Sequence, residues 1–190
     1  MMYKHVASIW KKPRESLGEG YSNMLIHLRK QPTITKIDRP TRIDRARRLG
    51  FKAKEGYVIA RVKVDKGVRK TPKKGGRRPK KAGRFFSLGK SSKVVAEEKA
   101  SRRYHNLEVL NSYMLAEDGK SKWFEVILID PYNKSVLSDR NKRWVFEPQH
   151  KGRAFRGKTS AGKKSRALHR KGKGAEKARP SLRAHGRMQK

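Results

Sequence analysis

The sequence predicts an α+β protein in which a small antiparallel sheet with packed helices carries long basic extensions. Three observations point there: helical spacing of apolar residues near the N-terminus, an antiparallel hairpin between residues 107 and 130, and two acid-poor segments that no core can absorb. Alternating βα units, which a parallel sheet requires, are missing.

Tyr3, Val6, Ala7 and Trp10 recur at i, i+3, i+4 and i+7 and predict a short amphipathic helix. Pro13 suits the first turn of a second helix, in which Leu17, Tyr21, Met24, Leu25 and Leu28 keep that spacing until Gln31-Pro32 closes it. Gly18 and Gly20 weaken its start by roughly 1 kcal/mol each relative to alanine. Residues 32–48 read as an arginine-rich linker: Pro40 can start a short helix, Gly50 can end it, and Asp38 and Asp44 serve to orient arginines. Because a guanidinium meets phosphate with two parallel donors, the cluster holding Arg45, Arg47 and Arg48 is a candidate phosphate clamp; a solvated charged helix is the alternative.

From Tyr57 to Val64, Val58, Ala60, Val62 and Val64 alternate with Ile59, Arg61 and Lys63, the period of a half-buried strand. The next stretch, Lys66 to Lys90, contains no carboxylate. Its positive charge cannot be buried and opposes compaction in water, so this arm should gain order only against a dense polyanion. Serines then cap a helix at Val94 to Tyr104, with Ala96, Ala100 and Tyr104 on one face. LEVLNSYML and KWFEVILID follow, joined across AEDGKS, where Asp118-Gly119 predicts a type I′ turn. The second run is apolar on both faces, which predicts a central strand. Ser135 to Phe146 supplies a last piece whose Val136, Leu137, Trp144 and Phe146 complete the core. Beyond Pro148 a single acid, Glu176, stands among fifteen lysines and arginines, a second arm expected to be poorly ordered alone. Phe85, Phe86 and Phe155 lie among the charges of the two arms, placed to stack on unpaired bases or to tether the arms. The expected organisation is therefore helices and arginine-rich linker over 1–50, an α+β body over 51–147 interrupted by a basic arm at 66–90, and a basic extension over 148–190.

With 52 lysines and arginines against 16 acids, the formal charge is +36. Nucleic acid is the leading partner, since each phosphate neutralised releases counterions; an anionic membrane surface is the lesser one. The absence of cysteine excludes disulfides, thiolate metal sites and cysteine nucleophiles. No apolar run is long enough for a signal peptide or a membrane span, so a soluble, unsecreted protein is expected. The six histidines are scattered without metal-ligand spacing, and Glu97-Glu98 diverge on their helix, so neither a metal nor an acid/base pair is expected. Gly152, Gly157, Lys158 and Thr159 do satisfy the phosphate-loop pattern G-x-x-x-x-G-K-[ST]. A true phosphate loop follows a buried strand directly, however, and here Glu147-Pro148-Gln149-His150-Lys151 precedes it.

Three blocks, RLGFKAKEGYVIARVKV, AEEKASRRYHNLEVLNSYMLAEDGKSKWFEVILIDP and HKGRAFRGKTSAGKKSRALHRKGKGAEKARPS, resemble, in order and nearly end to end, the archaeal form of large-subunit ribosomal protein fifteen of the eukaryotic type. The resemblance implies an α+β body around a small antiparallel sheet, extensions threaded through large-subunit ribosomal RNA, neighbouring large-subunit proteins, a place in the cytoplasmic ribosome, and no enzymatic activity, cofactor or small-molecule substrate. The residues expected to meet RNA are Arg45, Arg47 and Arg48 in the linker; Arg69, Lys73, Lys74, Arg77, Arg78 and Lys80 in the first arm; and Arg153, Arg156, Lys163, Lys164 and Arg166 in the second. A generic DNA compactor is the main rival, for which charge and arms would serve equally.

Overall fold

Four strands, β1 (Ile34–Ile37), β2 (Tyr57–Asp65), β3 (Glu108–Glu117) and β4 (Ser121–Ile129), pair antiparallel in the order β1-β2-β4-β3 in the computed structural model, which describes residues 2–67, 88–169 and 175–176. Six helices accompany them among the described residues: α1 (Met2–Ile9), α2 (Pro13–Lys30), α3 (Ile43–Arg48), α4 (Ser92–Arg103), α5 (Lys134–Leu137) and α6 (Ser160–Ser165). The α+β class and the antiparallel sheet are as expected.

Alternation along β2 and β4 divides the core. Their register sets Val58 against Leu128, Ala60 against Val126 and Val62 against Phe124. These side chains meet Ala96 and Ala100 of α4, whose small residues let the helix lie close to the sheet. On the opposite face Ile127 and Ile129 pack with Leu110, Tyr113, Ala46 of α3, Val136 of α5 and Val145. Toward the hairpin end, Tyr21, Leu25 and Leu28 of α2 cover Trp123, Leu115 and Ala116. Central strand β4 is thus covered on both sides, as its composition predicts.

Several expectations are corrected. Alternation holds along β2 from Ala60 to Val64, but Ile59, on the face that also bears Arg61, is fully inside. β1 arises inside the expected linker, pairing Ile34 with Val62 and Ile37 with Ile59. The hairpin turn is not type I′, since neither Asp118 nor Gly119 has positive φ. The Asp118 carboxylate accepts from the amides of Lys120 and Ser121 instead and closes the turn through its own side chain. Val145, not Phe146, fills the core, and Phe146 stands 52% exposed. Finally, residues 148–169 are folded on the body, with Ala154, Thr159 and Ala161 buried. Of the first arm, the structure describes Lys66, Gly67 and Leu88 to Lys90; Phe85 and Phe86 lie outside the described residues.

Glu125 is fully buried on β4. Its carboxylate accepts from the Thr41 amide at 3.1 Å and hydroxyl at 2.5 Å, from Arg61 Nη2 at 3.1 Å, and from the Tyr113 hydroxyl. A buried charge is tolerated only with such a full set of donors. Glu125→Ala should therefore destabilise the fold by about 3–5 kcal/mol, because it leaves the Arg61 charge uncompensated. Urea denaturation followed by tryptophan fluorescence measures this, and a loss below about 1 kcal/mol would refute the hub role.

Burial, and then the Glu125 carboxylate, push the Tyr113 phenol above its ordinary range. The neutral phenol's contribution to stability is therefore fully present below about pH 10 and declines as pH rises above that value. In an absorbance titration Tyr113 should ionise only together with unfolding. A Tyr113→Phe chain that loses an early, fully reversible ionisation step would show otherwise.

Candidate nucleic-acid interface

α3 is only six residues long, and Ala46, fully buried, fastens it to the sheet. Periodicity then leaves Arg45, Arg47 and Arg48 facing solvent. Arg47 lies over the Tyr3 ring at 5.7 Å and donates to its hydroxyl; Arg42 lies over Trp10 at 5.0 Å and pairs with Asp44 at 3.6 Å. These contacts tie α1 to α3 and fix the direction in which the arginines project. A depression of about 660 Å³ beside them is lined by Phe51 and Tyr57 and by Arg39, Arg47 and Lys54 together with Asp38 and Glu55.

The second cluster is built by α4 and α6. Thr159 caps α6, its hydroxyl oxygen accepting from the Gly162 amide while its proton goes to buried Glu97 at 2.5 Å. Gly162 is obligatory for contact: a Cβ there would lie 2.5 Å from Gly157 Cα. So anchored, α6 presents Lys163 and Lys164 to solvent, with Arg166 just beyond. Ser91, Lys93, Ser160, Lys164, Ser165 and His169 line a depression of about 420 Å³, a combination of hydroxyls and cations suited to phosphate oxygens.

Lys93 connects the two clusters. It lies within electrostatic range of both Arg45 and Lys164, so α3, α4 and α6 contribute to one cationic surface. Burial first, and then those two charges, hold its ammonium below the usual lysine range against the pull of Glu97. Nothing in the spacing of the sequence singles out Lys93; the fold alone brings it there.

The remaining candidates divide differently. Arg153 is corrected from a surface contact to an interior residue, 8% exposed. Its guanidinium donates to the carbonyls of Val109 at 2.7 Å, Leu110 at 3.0 Å and Lys158 at 3.3 Å, with Trp144 beneath at 4.7 Å. The irregularity of β3 between Val109 and Asn111 falls at the first two of these carbonyls, and an arginine fork satisfies them. Arg156 is exposed but donates to the carbonyls of Gln149 and Lys151. Arg166 is exposed and passes over Gly157 to the carbonyls of Arg156 and Gly157, each at 3.4 Å. Phe155 is exposed beneath Arg102 at 5.7 Å. Arg69, Lys73, Lys74, Arg77, Arg78 and Lys80 lie outside the described residues.

The phosphate-loop pattern has another use here. Lys158 Nζ donates to Gln149 O at 2.6 Å, the Gly152 amide donates to Glu108 at 2.8 Å, and a short 3-10 turn at Pro148–His150, not a strand, leads into the loop. Among the described residues there is no group of acids, histidines or cysteines able to hold a metal, and no helix long and apolar enough to cross a membrane.

What these features define is a basic α+β protein with an extended cationic surface on α3, α4 and α6. A family model described as Ribosomal L15 matches residues 1–185. The chain is also 48% identical, over 99% of its length and 97% of the relative's, to the large ribosomal subunit protein eL15 of Methanocella arvoryzae. It belongs to the Ribosomal L15 family and is a structural constituent of the large ribosomal subunit, not an enzyme.

Arg153→Ala should destabilise the fold by about 2–4 kcal/mol, since several buried carbonyls lose their donor, and Arg153→Lys should restore little of it. Lys163→Ala with Lys164→Ala should change stability by less than about 0.5 kcal/mol. Parallel urea titrations compare the two, and equal losses would contradict the division into interior and surface cations.

Proposed function

We propose that this protein stabilises folded large-subunit ribosomal RNA by laying the α3–α4–α6 surface along its phosphates, while the basic segments 68–87 and 170–190 enter crevices beyond the body. The observation that carries this reading is that Lys93 shares its depression with Lys164 and feels the charge of Arg45; burial first, and then these two charges, lower its pKa, and a polyanion would relieve the repulsive part. Arg47, Arg48, Lys163 and Arg166 extend the same surface. For the first segment, Arg69, Lys73, Lys74, Arg77, Arg78 and Lys80 supply the contacts. Base edges of duplex RNA lie in a deep, narrow groove, so recognition is of backbone and shape.

Binding to a large-subunit ribosomal RNA fragment should weaken steeply with salt, by about 0.7 to 0.9 in the log–log slope for each phosphate engaged. A preference for folded ribosomal RNA over DNA duplex of equal length separates this role from DNA compaction; equal affinity would refute it.

Lys93 gives a sharper test. Its folded pKa is lowered, so its charged form opposes folding below the ordinary lysine value of 10.5 and ceases to do so as pH rises above it. At neutral pH, Lys93→Met should therefore raise the denaturation midpoint while reducing the salt slope of RNA binding by about 0.7 to 0.9. Loss of stability with unchanged RNA affinity would remove Lys93 from the interface.

A further inference from the structure

The sheet has two unlike ends. Lys66, where the first basic segment begins, follows β2 beside the hairpin turn, its amide donating to Lys120 O at 2.8 Å. At the other end β4 finishes at Ile129, beside Tyr57 and Glu108. There a cleft of about 620 Å³ opens, lined by Glu108, Asp130, Tyr132, Phe146, Glu147 and Lys151, with His105 at its margin. Tyr132 is 72% exposed and Phe146 52% exposed, and their rings meet edge to face at a centroid separation of 5.6 Å.

Charge at this cleft runs against the rest of the molecule. In a chain of formal charge +36, three carboxylates line it, and among the described residues Lys151 is the one lysine or arginine that does. Glu108 is committed to the amides of Gly152 and Arg153. Asp130 accepts the amide of Tyr132, and Glu147 accepts from the Gln149 side-chain amide and has His150 at 3.8 Å; neither forms an ion pair with a lysine or arginine among the described residues. Phosphates are disfavoured beside Asp130 and Glu147, whereas a guanidinium gains both a carboxylate and an aromatic face.

We propose that this cleft docks an arginine-bearing segment of a neighbouring protein, the guanidinium lying against Tyr132 and Phe146 and pairing with Asp130 or Glu147. The partner is polypeptide, and the contact lies apart from the cationic surface assigned to RNA. A photoreactive benzophenone side chain is placed at Tyr132, and in a second chain at Phe146, and large subunits containing the full-length protein are purified and irradiated. Crosslinks should map to a protein segment within a few residues of an arginine, and Glu147→Lys should reduce their yield at least fivefold. Crosslinks to RNA, crosslinks to a second copy of this chain, an unchanged yield with Glu147→Lys, or no crosslink from subunits shown to contain the protein would each overturn the proposal. The RNA reading stands or falls separately on its salt slope.

Discussion

A chain with so large an excess of positive charge must be drawn together by its few acids, and four glutamates inside the body do this. Glu97, Glu98, Glu108 and Glu125 are all buried. Each carboxylate costs several kcal/mol to desolvate unless donors surround it, and the donors here come from segments distant in sequence. Glu125 on β4 receives Thr41 from before α3, Arg61 from β2 and Tyr113 from β3. Glu97 on α4 receives Ser112 from β3 and Thr159 from the α6 cap. Glu108 takes the amides of Gly152 and Arg153, and Glu98 takes Lys90, where the chain re-enters the body. Apolar packing shapes the sheet and its helices, but these carboxylates decide which basic segments lie against it.

Outside the interior, acids such as Glu117, Asp118 and Asp139 pair with a few cations, and the rest of the positive charge stays in excess. Arg45, Lys93 and Lys164 come from three helices whose positions are set by Ala46, by the α4 packing and by the Thr159–Glu97 bond. Their proximity is thus a by-product of anchoring, which Glu97 offsets at Lys93 only in part. The energetic consequence is opposite in the two regions: removing an interior partner costs stability, while removing an outer cation such as Lys93 relieves it. In the proposed reading, a surface that lowers the stability of its own fold is retained for the phosphates it would meet.

What the sequence alone discloses follows the same division. α1, α2, α4, the hairpin and the burial of β4 are legible because apolar periodicity reports packing directly. β1 is not, since Ile34–Ile37 is a four-residue edge strand that holds its place through pairing with β2, beside prolines and arginines that suggest a linker. Periodicity also treats every acid and every arginine as solvent-facing. That assumption misplaces Glu97, Glu125 and Arg153, whose burial depends on partners 12 to 84 residues away. The exposure of Arg45, Arg47, Arg48, Lys163 and Lys164 is legible in composition, whereas the placement of Lys93 near Arg45 and Lys164 is not, because it arises from tertiary proximity.

The run from Gly152 to Thr159 shows how one pattern can satisfy two sets of physical demands. In a nucleotide-binding loop the glycines open the backbone to phosphate, and the lysine and hydroxyl meet phosphate and metal. Here Gly152 and Gly157 also take positive φ, but the hydroxyl of Thr159 is turned inward to Glu97 and to the start of α6, and Lys158 holds Gln149 O. Gly162 is required because α6 lies against Gly157. Each element of the pattern therefore serves to fasten the first part of the expected C-terminal extension to the body. Residues 148–169 consequently act as a fixed platform, carrying Lys163, Lys164 and Arg166 at positions determined by α4 rather than by the partner.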